Sequence, residues 1–181
     1  MTAHPHQLYA IPFTEADQAR LVGFSCGDEP DRPWARAATE WILGSDVLDS
    51  VTRRGTTVWL FELADRQVVG FASLGKARWK WPLPDGTYTN LAYIPMVGLA
   101  KPFHGQPPDQ DWRYANQIIG HLIDQARQLA ADWPDDAKWL VLVVHPENQP
   151  AIRLYQRWGF ELIPTAGRKD GQHVMKVWLG D

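Results

Sequence analysis

The 181-residue sequence predicts a mixed α/β chain in which strands alternate with amphipathic helices. Three observations carry that expectation. Trp139–Val144 is an unbroken apolar run rich in β-branched residues and too short for a typical helix, so it reads as a strand buried on both faces. Ile118, Ile119, Leu122, Ile123, Ala126 and Leu129 recur at helical spacing along a segment from about Tyr114 to Ala131. Thr57–Ala64 and Gln67–Leu74 are β-rich and flank Asp65-Arg66, which is the pattern of a hairpin.

The remaining elements follow in order. His4–Phe13 reads as a first strand, with Pro12 near its end. Thr14 and Asp17 form a T-x-x-D start, weaker than the Glu/Gln capping box, for a short helix through Leu21 and Val22. The cluster Gly27–Asp31 is a turn. Trp34, Ala37, Ala38, Trp41 and Ile42 lie at helical spacing with Gly44 as a stop, followed by a further turn through Val47, Leu48 and Val51. After the hairpin, KARWKWPLPDG has two readings. It is an edge strand protected by Lys76, Arg78 and Lys80, the more common arrangement, or a rim of Trp79 and Trp81 beside a substrate cleft. Tyr88–Ala100 is a strand interrupted by Pro95 and Gly98, residues that mark an edge, a bulge or a close approach of backbone. Lys101–Trp112 is a polar, Pro-rich loop. Beyond Phe160, Glu161–Pro164 and His173–Leu179 read as two strands joined by the polar loop 166–172.

The segment Trp139–Phe160 is the most informative. His145-Pro146 ends the strand, because proline lacks an N–H and pushes its predecessor out of helical conformation. Asn148 suits an N-cap, Pro150 suits the first turn, and Ala151, Leu154, Tyr155 and Trp158 recur at helical spacing before Gly159. The spacing N-x-x-A-x-x-L-Y-x-x-x-G-F, carried by Asn148, Ala151, Leu154, Tyr155, Gly159 and Phe160, resembles a segment of the GNAT N-acetyltransferases. V-G-x-x-x-L at Val69, Gly70 and Leu74 is similar to that family's third strand. The predicted order (strand, two helices, three strands, helix, strand, helix, two strands) is the family's order too, over nearly the whole chain.

The resemblance implies a GNAT fold across one domain, 1–181: a mostly antiparallel, twisted sheet of about six to seven strands, splayed between the fourth and fifth, with about four flanking helices. It implies acetyl-CoA as acetyl donor. The bulged strand at Met96, Val97, Gly98 and Leu99 would pair with the pantetheine arm, Asn148 would hydrogen-bond that arm, and Tyr155 would serve the leaving sulfur as a general acid. Asn148 also has the plain reading of an N-cap, and Tyr155 that of an amphipathic core residue. The family's R/Q-x-x-G-x-G/A phosphate motif is not intact. Starting the match at Tyr114 sets Gln117 and Ile119 where the glycines belong. Gly105-Gln106 is a candidate remnant, and Arg113 at the helix mouth is the candidate source of positive charge.

Acetylating an alkyl amine of pKa about 10.4 at pH 7 requires removing a proton at a cost of roughly 4–5 kcal/mol, unless the acceptor amine is less basic. Many GNAT enzymes use a Glu on the fourth strand or a water relay, and Tyr88–Ala100 contains no Glu or Asp. Tyr93, His104, His145 and Glu147 are the nearby alternatives, each more readily read as an ordinary loop or strand residue. Trp79, Trp81, Tyr93 and His145 are the candidate acceptor contacts. A phenol near pKa 10 protonating a thiolate whose acid lies near 8.5 runs uphill by about 2 kcal/mol, so Tyr155 helps only if the site narrows that gap or if it chiefly hydrogen-bonds the sulfur. His4 and His6 have no second cluster to complete a metal site, and no metal is expected.

The single cysteine, Cys26, forbids an internal disulfide and fits a reducing, cytoplasmic setting. No apolar stretch suits a leader or a membrane span. The expected activity is direct acetyl transfer to a primary amine of a small molecule or peptide, by a monomer or homodimer. F-S-C-G (Phe24–Gly27), a Trp-bearing helix and V-W-L-F-E are similar to the openings of toxin-type GNAT proteins that acetylate aminoacyl-tRNA. The net charge of −3 argues against a nucleic-acid partner, although Arg53, Arg54, Lys76, Arg78 and Lys80 offer cations for a local patch. A third reading is a degenerate domain that binds acyl-CoA or a protein without turnover.

Overall fold

A computed structural model describes residues 4–79, 88–163 and 171–180. Trp81, Lys80 and most of the loop 166–172 lie outside the described residues. The strands are β1 (Tyr9–Pro12), β2 (Thr57–Glu62), β3 (Val68–Trp79), β4 (Thr89–Ile94), β5 (Val97–Leu99), β6 (Trp139–Val144), β7 (Glu161–Ile163) and β8 (His173–Trp178). The helices are α1 (Pro33–Leu43), α2 (Ser45–Arg54), α3 (Tyr114–Ala130) and α4 (Gln149–Arg157). The strands run in the order β1-β2-β3-β4-β6-β8-β7, with β5 paired to β3, and every register observed is antiparallel except that of β4 with β6. A parallel pair needs a long crossover, and the chain between β4 and β6 supplies it with β5, a loop and α3.

Contacts gather the chain into two units, Met1–Ser73 with Met96–His121 and Leu74–Pro95 with Leu122–Asp181. In the first, strand alternation sends Val58, Leu60 and Phe71 into a core with Ala35, Ala38, Ile42 and Val47 of α1 and α2. The opposite face carries Trp59 and Phe61, whose rings meet His121 of α3 edge-on at 5.0 and 5.3 Å. A Cβ on Gly70 would stand 3.1 Å from Ile118 Cδ1 and 2.6 Å from Gly98 O, so a glycine there lets α3 and β5 close on the sheet. In the second unit, Leu91, Val141, Ile163 and Val174 form a core joined by Trp79, Tyr93 and Trp139.

Four expectations shift. Only Tyr9–Pro12 of the segment 4–13 is strand, and the Gln7 N–H donates to His4 O in a turn before it. The segment opening at Thr14 is a 3-10 helix, Glu15–Leu21, started by the Thr14 N–H donating to Asp17 Oδ2 at 2.8 Å. The turn through Val47, Leu48 and Val51 is a full helix, α2, because those residues share one face and Gly55 supplies the left-handed stop at φ +62°. The hairpin's second strand does not end at Leu74. It continues to Trp79, with Ala77 and Trp79 directed at the second core and Lys76 and Arg78 alternating to the other face.

Candidate active site

In the second unit, β6 delivers the chain to a tight turn in which Asn148 N–H donates to His145 O at 2.9 Å. Asn148 caps α4, its Oδ1 accepting the Ala151 N–H at 3.4 Å, and its amide nitrogen Nδ2 has no hydrogen bond among the described residues. The far end of α4 closes as a Schellman motif. Phe160 N–H donates to Tyr155 O and Gly159 N–H to Gln156 O, each at 3.0 Å, with Gly159 at φ +83°. That stop turns Phe160 back so that its ring lies 5.6 Å from the ring of Tyr155.

Tyr155 is 6 % exposed, and burial pushes its phenol pKa up. The shift runs against outright proton donation, because it widens the gap to an ordinary thiol. It keeps the hydroxyl protonated, which is the form that donates a hydrogen bond. Ile152 and Tyr155 are the two buried residues of α4.

The interrupted strand is a bulge. Residues 70–72 of β3 face 97–99, and residues 75–79 face 89–93, so Ser73 and Leu74 stand opposite three residues, Ile94 to Met96. Ser73, 0 % exposed, holds it: its hydroxyl accepts the Met96 N–H at 2.8 Å and donates to Met96 O at 2.7 Å, and its own N–H reaches Met96 O at 2.9 Å. Met96 thus spends its backbone on Ser73. Gly98 faces β3, where a Cβ would lie 2.5 Å from Phe71 Cε1 and 2.6 Å from Cys26 Sγ. Alternation then aims the backbone groups of Val97 and Leu99 away from β3, and among the described residues β5 has no other strand partner. His104 Nε2 donates to Leu99 O at 2.9 Å, which leaves the N–H groups of Val97 and Leu99 as outward donors.

The F-S-C-G segment backs this strand. Lys101 N–H donates to Ser25 O at 2.8 Å, and Cys26 N–H donates to Thr39 Oγ1 at 2.9 Å. Lys101 Nζ meets Glu29 at 2.6 Å, and that hydrogen bond holds the Glu29 carboxyl down at about 2. The Cys26 thiol is buried, and desolvation pushes its pKa up to about 12, so it is a packing group and not a nucleophile.

The loop before α3 is held by side chains rather than by glycines. Gly105 adopts φ +73° in open space, and the Gln106 N–H turns back to Phe103 O at 3.2 Å. Gln106 O accepts the Tyr114 N–H at 3.2 Å, so the first donor of the helix is spent within the loop. Arg113 is half-buried at the helix mouth, and its Nε is buried with no hydrogen-bond partner among the described residues. Tyr114 is buried between Phe103, edge-on at 5.6 Å, and His6, whose Nδ1 lies 3.2 Å from the phenol oxygen; burial raises its pKa. Ile119 lies in the core, and Gln117 is taken up by hydrogen bonds, so neither frees backbone for an anion in the way a glycine would.

Among the candidate acceptor residues, Trp79 and Tyr93 meet at 5.1 Å between ring centroids and pack on the second core. His145 Nδ1 accepts the Glu147 N–H at 3.2 Å, within the turn. Arg53 and Arg54 belong to the first unit, with Arg53 paired to Asp49 at 3.0 Å. Lys76 and Arg78 belong to the second and lie over the rings of Trp133 and Tyr88. Sequence reasoning missed Ser73, Gln117 and the Cys26–Gly98 contact. The signals were weak: an unremarkable serine before Leu74, and a glutamine where glycine was expected. It also missed Glu62, 1 % exposed, which pairs with Arg20 at 2.5 Å and Arg66 at 3.1 Å and is thereby occupied as a structural anion. Among the described residues no group of His, Cys, Asp and Glu is arranged to hold a metal, and no helix is long and apolar enough to cross a membrane.

The fold is similar to that of known proteins. The toxin AtaT in complex with acetyl-methionyl-tRNAfMet superimposes with a TM-score of 0.66 at 14 % identity, covering 95 % of each chain. A tyrosine-to-phenylalanine mutant of KacT gives 0.70 at 13 % identity, covering 96 % of this chain and 95 % of that one. The spermidine/spermine N-acetyltransferase SpeG from Vibrio cholerae gives 0.57 at 14 % identity, over 96 % and 93 %. No curated protein matches the sequence. At these identities the likeness speaks for the fold. The profile of the "Acetyltransferase (GNAT) family" matches residues 20–160, from the first 3-10 helix through β6, α4 and Phe160, and the chain belongs to that family.

Proposed function

We propose that the chain is an acetyl-CoA-dependent N-acetyltransferase that moves the acetyl group directly onto the α-amine of an aminoacyl-tRNA. The observation that carries the donor half is the β6–turn–α4 unit, with Asn148 at the cap, its Nδ2 available, and Tyr155 kept protonated by burial. Asn148 Nδ2 donates to the pantetheine arm. By the family resemblance alone, a backbone N–H of the stretch Val97–Leu99 is assigned to the thioester carbonyl. The amine nitrogen attacks that carbon, the C–S bond breaks, the amine loses a proton and the thiolate gains one. Tyr155 hydrogen-bonds the departing sulfur without giving up its proton.

Two things support the acceptor. AtaT, one of the similar structures, was captured with acetyl-methionyl-tRNAfMet, and a mutant of the same toxin with acetyl-CoA and the C-terminus of the antitoxin AtaR. The chemistry points the same way. With no Glu or Asp from Tyr88 to Ala100, a strong base is not supplied by that strand. An α-amine of pKa about 7.7–8.0 needs only about 1 kcal/mol to be neutral at pH 7, against roughly 4–5 kcal/mol for a lysine-like amine. This ranks the acceptor differently from overall charge, which averages over the surface and says little about one face. The likeness to SpeG favours a second reading, a polyamine acceptor.

The test is transfer from labelled acetyl-CoA to aminoacyl-tRNA, a short peptide and spermidine in parallel. Label on aminoacyl-tRNA, with a rate that falls as salt rises, is the expected result. Label on spermidine alone selects the second reading. Label on none, with acetyl-CoA binding intact, makes the chain a non-catalytic acyl-CoA-binding domain.

A further inference from the structure

We propose that one sheet face of the second unit is a stacking platform for the unpaired nucleotides at the 3′ end of the acceptor RNA; the proposal rests on the aminoacyl-tRNA reading above. Strand alternation sends every second side chain of β4, β6, β7 and β8 to this face. Its buried floor is one aliphatic residue from each of those four strands. Among the described residues, the side chains packed on that floor also come from strands, and none comes from a helix. A sheet face that serves folding alone is ordinarily covered by a second layer of helix or sheet. Here aromatic rings stand over the floor instead.

The rings form a strip across four strands. Trp79 and Tyr93 lie 5.1 Å apart, and Trp139 and Trp178, opposite each other in register, meet edge-on at 4.9 Å. Three of the four are half-buried, and Trp178 is 37 % exposed. Trp178 is held even so: the chain lies against its indole at Gly180, where a Cβ would stand 2.5 Å from Nε1. Lys176 Nζ sits over the Trp139 ring, 3.9 Å from its centroid. Glu161 stands opposite Lys176 in register, yet Lys176 makes no ion pair with a described residue. A fixed aromatic face beside an ammonium suits an unpaired nucleotide, whose base stacks on the ring while its phosphate meets the cation.

The same strand leads from this platform to the donor site. Trp139 is the first residue of β6, and Asn148 caps the helix that follows its last residue, Val144. Trp139 to Val144 spans about 17 Å of strand. That is the reach of about five stacked nucleotides at roughly 3.4 Å each. An aminoacyl ester held at the turn would thus trail its last unpaired nucleotides back along β6 to the rings.

The experiment compares methionyl-tRNA with methionine methyl ester, which keeps an α-amine beside an ester and lacks the RNA. Trp178→Ala removes the most exposed ring, and Lys176→Gln removes the charge. The expected result for each folded variant is a KM for methionyl-tRNA raised about tenfold or more, with kcat, acetyl-CoA affinity and turnover of the methyl ester unchanged. Trp178→Phe, which keeps a π-face, should recover most of the loss. Equal losses on both acceptors, no loss on either, or collapse of the fold in both variants would make these residues structural only and overturn the proposal. Sedimentation of the same proteins decides the other occupant: a wild-type dimer that both variants dissociate assigns the face to a second copy and also overturns it. If wild type acetylates the methyl ester or spermidine but not methionyl-tRNA, the acceptor reading falls and takes the proposal with it; wild-type turnover of methionyl-tRNA with indifferent variants overturns the proposal alone.

Discussion

Gly98→Ala tests how the bulged strand is built. The added Cβ would sit 2.5 Å from Phe71 Cε1 and 2.6 Å from Cys26 Sγ, about 1 Å inside ordinary contact. Neither neighbour is the loose end of a flexible chain. Phe71 is fully buried, with Trp41 stacked on it at 5.8 Å and Phe24 edge-on at 6.0 Å, and Cys26 is held through its N–H by Thr39. The strand must therefore yield, and overpacking of this kind costs about 1–3 kcal/mol. For a chain of this size that lowers Tm by about 2–12 °C. The same displacement moves the outward N–H groups of Val97 and Leu99, and a misplacement of about 1 Å is enough for roughly a hundredfold loss in turnover. Cys26→Ala removes one of the two obstacles, so the double variant should recover part of both losses, a coupling of about 0.5–3 kcal/mol in stability. Thermal unfolding and acetyl-transfer rates of the four proteins measure it. A Gly98→Ala protein with unchanged Tm and turnover would refute the packing of β5 described above.

Further outcomes follow from the same structure. Ser73→Ala strands the Met96 N–H at the bulge and should cost about 1–3 kcal/mol by chemical denaturation, with donor binding weakened as the bulge relaxes. Tyr155→Phe removes one hydroxyl from a packed ring; its fold and acetyl-CoA affinity should stay as in wild type, while turnover falls about 10²- to 10³-fold if that hydroxyl serves the sulfur. Cys26 gives a pH dependence of definite sign. Its thiol is raised to about 12 in the folded chain against an unfolded value near 8.5, so its contribution is complete below that value and declines by about 1.4 kcal/mol per pH unit as the unfolded thiol ionises. Denaturation at pH 8 and pH 10 should show wild type losing about 1–2 kcal/mol more than Cys26→Ala, and equal losses would contradict the buried, protonated thiol.

What the sequence made legible was local. The run Trp139–Val144, the stop at His145-Pro146, the cap at Asn148 and the turn at Gly159 all act within a few residues, and each appears where its chemistry sets it. Pro95 and Gly98 announced the broken strand for the same reason. The devices that hold it were hidden because they act between segments remote in the chain. Ser73 looks like any strand serine until Met96 is placed against it, and Gln117 looks like a lost glycine until His6 and Leu8 are brought to it. Gly98 suggested a bulge or an approach by another backbone, and the structure gives the bulge together with a packing reason in Phe71 and Cys26. The full length of β3 was obscured by its charges: Lys76 and Arg78 read as an edge and a turn, whereas strand alternation sends only Ala77 and Trp79 inward. Val47, Leu48 and Val51 lie too close together to establish a period, so α2 read as a turn.

The account turns on acetyl-CoA entering through Asn148. Calorimetric titration of acetyl-CoA into wild type and Asn148→Ala tests that most directly, with thermal unfolding run alongside because loss of the N-cap should cost about 1 kcal/mol. Micromolar binding to wild type, weakened about tenfold or more in a folded Asn148→Ala protein, is the predicted result. No binding by wild type, or equal affinity in both, would contradict it.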